Sequence, residues 1–450
     1  MKRSISILGA GLVGSVLAVL LRKRGYEVTL YERRPDMRRE AIGAGRSINL
    51  AMSERGWKAL ELAGLRQEIE SIAIPMPGRF LHQENGQSAF QAYGKNGEAI
   101  YSVSRGLLNQ KLMDLAEASG ATIHFNQRCT RVDIPENTIY LQSEDGSQQT
   151  VKCDLLFGAD GAFSALRTSM SFMDRTNFAQ SYIEHGYKEL SIPPGPGGSW
   201  LMEKNALHIW PRHNFMMIAL PNTDGSFTCT LFFPFEGNPS FASLQSDEAV
   251  MAFFNEQFPD AVPLMPTLLE DFKHNPVSSL ITTKIFPWHY QDKSCLIGDA
   301  AHAIVPFYGQ GLNAGFEDCS VLTALMEEHG ENWTLILQEL ERTRKPNGDA
   351  VADLALMNFI EMRDKVADPI FLERKKIEKD LGLRFKGRFN SVYEMVSFSH
   401  TPYSYALHCS KAQDILLEKI MAAGDYFQNI QDPAFLAKTE EWMQEYEQMI

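Results

Sequence analysis

What this sequence lacks narrows its chemistry first. Its six cysteines (Cys129, Cys153, Cys229, Cys295, Cys319 and Cys409) are scattered along 450 residues. They form no CxxC pair and no disulfide-rich spacing, which excludes a stapled secreted scaffold and points to reduced thiols in the cytoplasm. The eleven histidines include no HExxH, and no zinc-ligand spacing occurs, so no metal is assigned. Positive charge is in deficit: 43 Lys and Arg face 56 Asp and Glu, a net charge of −13. That balance argues against nucleic acid or an anionic membrane surface as a partner. No apolar run reaches the roughly 20 residues that a membrane span needs. Residues 411–450 are amphipathic and charged, so no C-terminal membrane anchor is expected. Internal repeats and low-complexity segments are absent too.

The N-terminus imitates a targeting signal. Met1-Lys2-Arg3 leads into ISILGAGLVGSVLAVLL, a charged start followed by an apolar run. The run carries three patterned glycines and no small-residue cleavage site, and a strand-like segment ending in an acid follows at once. It reads instead as the opening of a βαβ unit: strand 4–8, helix 12–24, strand 27–32, about the 30 residues such a unit needs. Between strand and helix stands GAGLVG. Gly9 allows the tight turn, Gly11 lets a pyrophosphate approach the backbone, and Gly14 lets the helix pack on the strand. Glu32, 18 residues past Gly14, ends the second strand where a carboxylate can bind ribose hydroxyls. This is an adenine-dinucleotide site; the motif leaves FAD and NAD both open.

Two later stretches share that layout. CDLLFGADGAFSALR, residues 153–167, is a strand ending at Asp160-Gly161 with a helix beyond. GDAAHAIVPFYGQGLNAG, residues 298–315, puts Asp299 after an apolar strand and opens a glycine-rich helix at Gly311. An uncapped helix N-terminus beside it is suited to an anionic group. Elsewhere, residues 43–46 read as a flexible basic loop, and Ser53 as a cap for the helix carrying Trp57 and Leu60. A hairpin turns at Asn85-Gly86, Ser104-Arg105-Gly106 precedes a helix over 107–119, and another hairpin turns at Asp145-Gly146. From about 180 to 272 short aromatic and β-branched runs predict a mostly antiparallel sheet, a natural substrate domain. Helical periodicity then persists to the end. It covers 342–363, where polar Asn358 interrupts an apolar face, then 411–423, and 439–450, where Trp442, Met443, Tyr446 and Met449 share a side.

The order GAGLVG, GADG, GDAAH…GQGLNAG resembles the class A flavoprotein aromatic hydroxylases. The resemblance implies FAD, with Glu32 and the neighbouring Arg33 at its adenosine end, Asp160 on a second cofactor-side loop and Asp299 near the ribityl chain. Gly311, Leu312 and Asn313 would lie against the flavin, and Val13, Ala51 and Arg105 would also contact FAD. A closer resemblance is to the kynurenine 3-monooxygenase family. It is carried by INLAMSERG, the 79–93 segment, YSVSR, HGYKEL, VPFYGQGLNAGFED, LMNFIEMRD and YEMVSFS in that order, and runs from the first strand to about Ala406. It implies that Arg79, Tyr93, Asn358 and Tyr393 hold the amino-acid end of L-kynurenine, with Phe307 and Tyr308 facing its ring. Tyr308 stands where many members of that family have Phe.

The implied reaction is hydroxylation of L-kynurenine to L-3-hydroxykynurenine with NADPH and O2, through a flavin C4a-hydroperoxide. No residue is expected to act as a nucleophile, and His302 is read as packing the loop. The competing readings are a class A hydroxylase of another aromatic acid and a non-catalytic FAD-binding interaction protein. The expected fold is α/β: a discontinuous Rossmann-like FAD domain (1–75, 101–178, 276–345), substrate-domain strands and sheet (76–100, 179–275), and a C-terminal helical region (346–450).

Overall fold

The computed structural model describes residues 3–39, 49–94, 97–365 and 368–450. The basic loop expected at 43–46 lies outside them. SISIL forms the strand Ser4–Leu8, inside a six-stranded sheet. It pairs in parallel with Glu27–Tyr31 on one side and Leu155–Gly158 on the other. Thr122–His124 and Ser294–Leu296 extend the parallel order, and His289–Tyr290 adds a short antiparallel edge. Strands covered on both faces need continuous apolar sequence; Ile5, Ile7, Leu155 and Phe157 are all buried. The signal-like run therefore ends up as the innermost strand and helix, with Gly14 to Leu21 of Leu12–Lys23 buried throughout. That helix packs beside Gly311–His329, and both pack beside Glu54–Ala63.

A seven-stranded sheet makes the second layer, in the order Ser278–Phe286, Asn177–Ile192, Phe227–Pro234, Phe215–Pro221, Leu207–Arg212, Gly78–His82, Ser88–Ala92. It is antiparallel except for Leu207–Arg212 against Gly78–His82, where the chain arrives from the far side of the molecule. The Asn85-Gly86 hairpin thus supplies two strands to the sheet formed a hundred residues later. Ser278–Phe286, in the span expected to return to the dinucleotide layer, instead pairs with Asn177–Ile192. The chain rejoins the six-stranded sheet only at His289.

The third layer is helical. Trp333–Ile360 starts earlier than the apolar pattern suggests and runs straight through Pro346. Buried residues on both sides of the proline, including Leu340, Ala350, Val351 and Leu354, supply enough tertiary packing to override a strong local breaker. The helix expected at 411–423 is the second half of Tyr403–Ala422. The expected C-terminal stripe docks as read: Met443 and Tyr446 are buried in a cluster with Leu416, Ile420 and Tyr426, and Trp442 and Met449 pack on its rim. Among the described residues no helix is long and apolar enough to cross a membrane.

Behind the seven-stranded sheet runs a relay of polar rings. His208 Nε2 donates to the Glu203 carbonyl (2.8 Å), His208 Nδ1 faces His82 Nε2 (2.9 Å), and His82 Nδ1 faces Asp260 (2.7 Å). Burial pushes His208 down from 6.5 to about 4. The folded protein thus leaves His208 neutral at a pH where the unfolded chain takes up a proton. This contribution is complete above pH 6.5 and is lost as pH falls towards about 4. It amounts to roughly 3 kcal/mol. Urea unfolding of the wild type should show that decline between pH 6.5 and 4, and His208→Gln should flatten it; an unchanged slope in the variant would remove His208 as the cause.

Candidate active site

The three glycine loops meet at the carboxyl ends of the parallel strands, where open α/β sheets bind ligands. Gly9 has φ +92°, and a Cβ there would sit 2.6 Å from the Ala159 carbonyl of the GADG loop. A Cβ on Gly14 would come within 2.1 Å of the Gly9 carbonyl. Both glycines therefore serve the protein's own packing. Gly11 does not: a Cβ there meets nothing within 4 Å. It is the N-cap of Leu12–Lys23 and offers no side-chain cap to that helix's free N–H groups. The third loop closes on the first through Val13, whose methyls would lie 3.0 Å from a Cβ on Gly298 and 2.6 Å from one on Gly315. Val13 is thus a packing residue by its side chain.

Glu32 is buried at the end of the second strand. Its Oε2 accepts from Ala10 N at 3.0 Å, and its Oε1 accepts from Arg34 N and Nε at 3.0 and 2.8 Å. The acid is thereby fixed against the first loop. Arg33 beside it is exposed. Asp160 turns one oxygen to its own helix, accepting from Ala165 N at 2.7 Å. The other, Oδ1, is buried without a partner, and burial raises its carboxyl above the usual range. Arg167, on that helix, donates to the carbonyl of Ala300 at 2.9 Å, joining second loop to third. Asp299 is half-buried and its carboxylate accepts no hydrogen bond among the described residues. Its Oδ1 lies 4.0 Å from where a Gly311 Cβ would be, at a helix N-terminus with no side-chain cap. Arg105 is exposed, and the helix begins with it, not at 107, because Ser104 takes the N-cap and accepts from Leu107 N.

Three expectations change in detail. Asn313 is fully buried and its side chain is spent inside the protein: Oδ1 accepts from Ser53 N at 2.8 Å, and Nδ2 donates to the carbonyls of Ala51 and Gly309 at 2.9 Å. It leaves only backbone for a ligand, together with Leu312. Ser53 does stand at the N-cap of Glu54–Ala63, but its hydroxyl makes no capping bond, since Asn313 already holds its backbone. Phe307 points into the core, stacked 4.1 Å from Phe359 and tilted against Phe232 at 4.8 Å. The 3₁₀ turn Pro306–Tyr308 advances one-third of a turn per residue, so neighbours on it face different ways. Tyr308 takes the other direction.

That direction holds the remaining candidates. Tyr393 stacks between Tyr93 (5.2 Å, 19°) and Tyr308 (5.7 Å, 22°), with Phe398 edge-on at 5.8 Å. Burial raises the phenols of all three tyrosines, and the nearby charge of Arg79 acts against it at each. Arg79 spends Nε on Gln91 across the hairpin, at 3.1 Å. Its two terminal nitrogens donate to no group among the described residues. Asn358 Nδ2 donates to the Phe307 carbonyl at 2.7 Å and so fixes the turn that aims Tyr308. Arg79, Tyr93, Tyr308, Asn358 and Tyr393 are therefore one assembly, and Phe307 is its backing.

Sequence reading missed the charge chain beneath. His302 is buried, its Nε2 2.6 Å from Asp318 Oδ2. Asp318 also accepts from Gly298 N at 3.0 Å and from Arg344 Nε at 2.7 Å. Burial works to raise Asp318, but His302 and Arg344 outweigh it and hold the carboxyl at about 2. His302 thus packs the loop through its bond to Asp318, and Gly348 passes so close that a Cβ there would lie 3.1 Å from the His302 Cβ. The GFED tetrapeptide carrying Glu317 and Asp318 was the available signal; acids inside an apolar helix need partners.

Whether FAD suits this site can be judged from the donors. Gly11 leaves space that protein packing does not use, two uncapped helix N-termini supply N–H groups for anionic oxygens, and Glu32, Asp160 and Asp299 supply acceptors for hydroxyls and N–H groups. That set fits a dinucleotide with a polyol chain. Residues 2–355 match the family model described as FAD binding domain. The kynurenine 3-monooxygenase of Flavobacterium psychrophilum is 50% identical over 93% of this chain and 94% of its own length. That of Dictyostelium discoideum is 48% identical over 95% of each. Among solved structures, 2-methyl-3-hydroxypyridine-5-carboxylic acid oxygenase superimposes with a TM-score of 0.66 at 24% identity, covering 83% of this chain and 95% of that one.

The glycines provide the test. Gly11→Ala should leave the stability of the FAD-free protein within about 1 kcal/mol, since φ there is −74° and the space is open. FAD affinity should fall by about tenfold or more. Gly14→Ala should destabilise the FAD-free protein itself by about 1–3 kcal/mol or more. Thermal melts and FAD titrations check both, and equal losses of stability in the two variants would contradict the assignment of Gly11 to the ligand.

Proposed function

The chain belongs to the kynurenine 3-monooxygenase family, and from that premise we infer that it hydroxylates L-kynurenine to L-3-hydroxykynurenine with NADPH and O2. It is a FAD-dependent flavoprotein monooxygenase. The observation that carries the substrate reading is the charge of Arg79 acting on Tyr93, Tyr308 and Tyr393, with two terminal nitrogens that donate to no group among the described residues. A planar guanidinium beside phenol donors suits a carboxylate bound through two oxygens. A polar end and an aromatic wall together suit an aromatic amino acid.

FAD, when bound, supplies the electron transfer from NADPH and the activation of O2. We assign the protein's part as binding, orientation and exclusion of water. The first loop with Glu32 would hold the adenosine end, and Asp299 the polyol chain. The backbone of Gly311 to Asn313 would face the flavin, where the helix dipole favours negative charge. Arg79 would pair with the carboxylate of L-kynurenine, and the hydroxyls of Tyr93 and Tyr393 would complete its hydrogen bonds. Asn358 would act through the turn it holds, leaving Oδ1 to accept from the substrate's amino group. Tyr308, three residues before Gly311, would lie beside the substrate ring. The extra hydroxyl there narrows the pocket on the side where many relatives carry phenylalanine. We further propose a cytoplasmic location, supported by six free thiols.

Purified yellow protein should oxidise NADPH several-fold faster with L-kynurenine than without, yielding a product heavier by one oxygen. A hydroxybenzoate-type acid taking the place of L-kynurenine in that assay would overturn the substrate. Arg79→Met should raise KM for L-kynurenine by about a hundredfold, the cost of roughly 3 kcal/mol for a lost charge-assisted pair, while FAD stays bound. Loss of FAD instead would show that Arg79 serves the cofactor.

A further inference from the structure

The helix Val392–Ser397, which carries Tyr393, has only six residues. A helix that short has no stability of its own, and its position is set by what holds its two ends. At its start Ser391 and Glu394 form a capping box. At its finish the carbonyls of Met395 and Val396 accept from Arg55 Nη2 and Nε, both at 3.4 Å, and Ser399 Oγ also donates to Met395 at 2.7 Å. The same guanidinium donates to the Thr401 carbonyl of the following turn and lies 4.0 Å from the Tyr403 ring. Arg55 is 1% exposed and comes from the dinucleotide layer, in Glu54–Ala63. Its remaining nitrogen, Nη1, donates to Glu317, whose other oxygen accepts from Arg344 Nη1 at 2.7 Å.

We propose that Arg55 is a positioning residue for substrate: it caps the C-terminus of the Tyr393 helix and holds that tyrosine against Tyr93 and Tyr308. The chain Gly298 N–H, Asp318, Arg344, Glu317, Arg55 then ties the loop of Asp299 to the wall of the substrate site through buried charge-assisted bonds. A cation at a helix C-terminus suits its exposed carbonyls, and the fork of arginine spans those of Met395, Val396 and Thr401 where lysine reaches one. Because Glu317 keeps Arg344, altering Arg55 strands no buried carboxylate. This rests on the reading of Tyr393 as a substrate contact, so wild-type turnover with L-kynurenine is measured first; its absence would fail that reading and not this one.

The test is a cycle of Arg55→Lys, Tyr393→Phe and the double variant, each checked for FAD content. Arg55→Lys should raise KM for L-kynurenine by about tenfold, with kcat within about threefold and FAD stoichiometry unchanged. The double variant should bind L-kynurenine no worse than Tyr393→Phe, because Arg55 acts through Tyr393. Multiplying KM effects, or kcat falling with KM unchanged, would overturn the proposal. Ser391→Ala, which loosens the same helix from its other end, gives an independent arm. It should raise KM by about fivefold, the cost of a lost N-cap, and an unchanged KM would overturn the proposal even if Arg55→Lys fails to fold.

Discussion

One buried carboxylate governs the geometry of both halves of the site. Asp318 is removed from water, and an unpaired charge in that place would cost several kcal/mol. It is stable there because the Gly298 N–H, His302 and Arg344 converge on its two oxygens. The bond from Gly298 matters most to function. It sets the backbone from which Asp299 projects and fixes that loop against the helix whose N-terminus begins at Gly311. The three partners also make the arrangement hard to deform, since removing Arg344 would leave Asp318 as a poorly compensated buried charge.

From this hub the molecule divides its labour. The dinucleotide layer presents backbone N–H groups and three acids around space that glycine leaves open. The seven-stranded sheet presents Arg79 through the hairpin strand Gly78–His82, placed beside Leu207–Arg212 by the one parallel pairing in that sheet. The helical layer brings Asn358 and Tyr393 from above. Tyr308 is the point where the layers meet, aimed by a turn that Asn358 holds through the Phe307 carbonyl. The proposed cofactor and substrate sites would thus be built from different layers but share a single turn and a single ionic chain.

Much of this was legible from local pattern. GAGLVG between a buried strand and helix, Glu32 at the second strand end, the two later acid-bearing loops and the Asn85-Gly86 hairpin all carry their signal within a few residues. What was not legible depends on contacts distant in sequence. Arg55 meets Glu317 across 262 positions, and nothing in SERG indicates that its arginine is buried. The resemblance puts Asn313 against the flavin, and nothing local shows that its side chain turns back to Ser53 and leaves only its backbone for that contact. Phe307 and Tyr308 read alike as neighbours, and only the 3₁₀ turn sends them apart. The helix expected at 342–363 begins instead at Trp333, because packing on both sides of Pro346 extends it towards the N-terminus.

On the proposed function the protein is a monooxygenase whose residues hold L-kynurenine beside FAD and perform no covalent chemistry of their own. The most direct measurement is the origin of the oxygen in the product. With NADPH and L-kynurenine under oxygen-18 gas, the expected product is L-3-hydroxykynurenine carrying a single heavy oxygen on its ring. A hydroxyl drawn from water, or NADPH consumed with no labelled aromatic product, would contradict it.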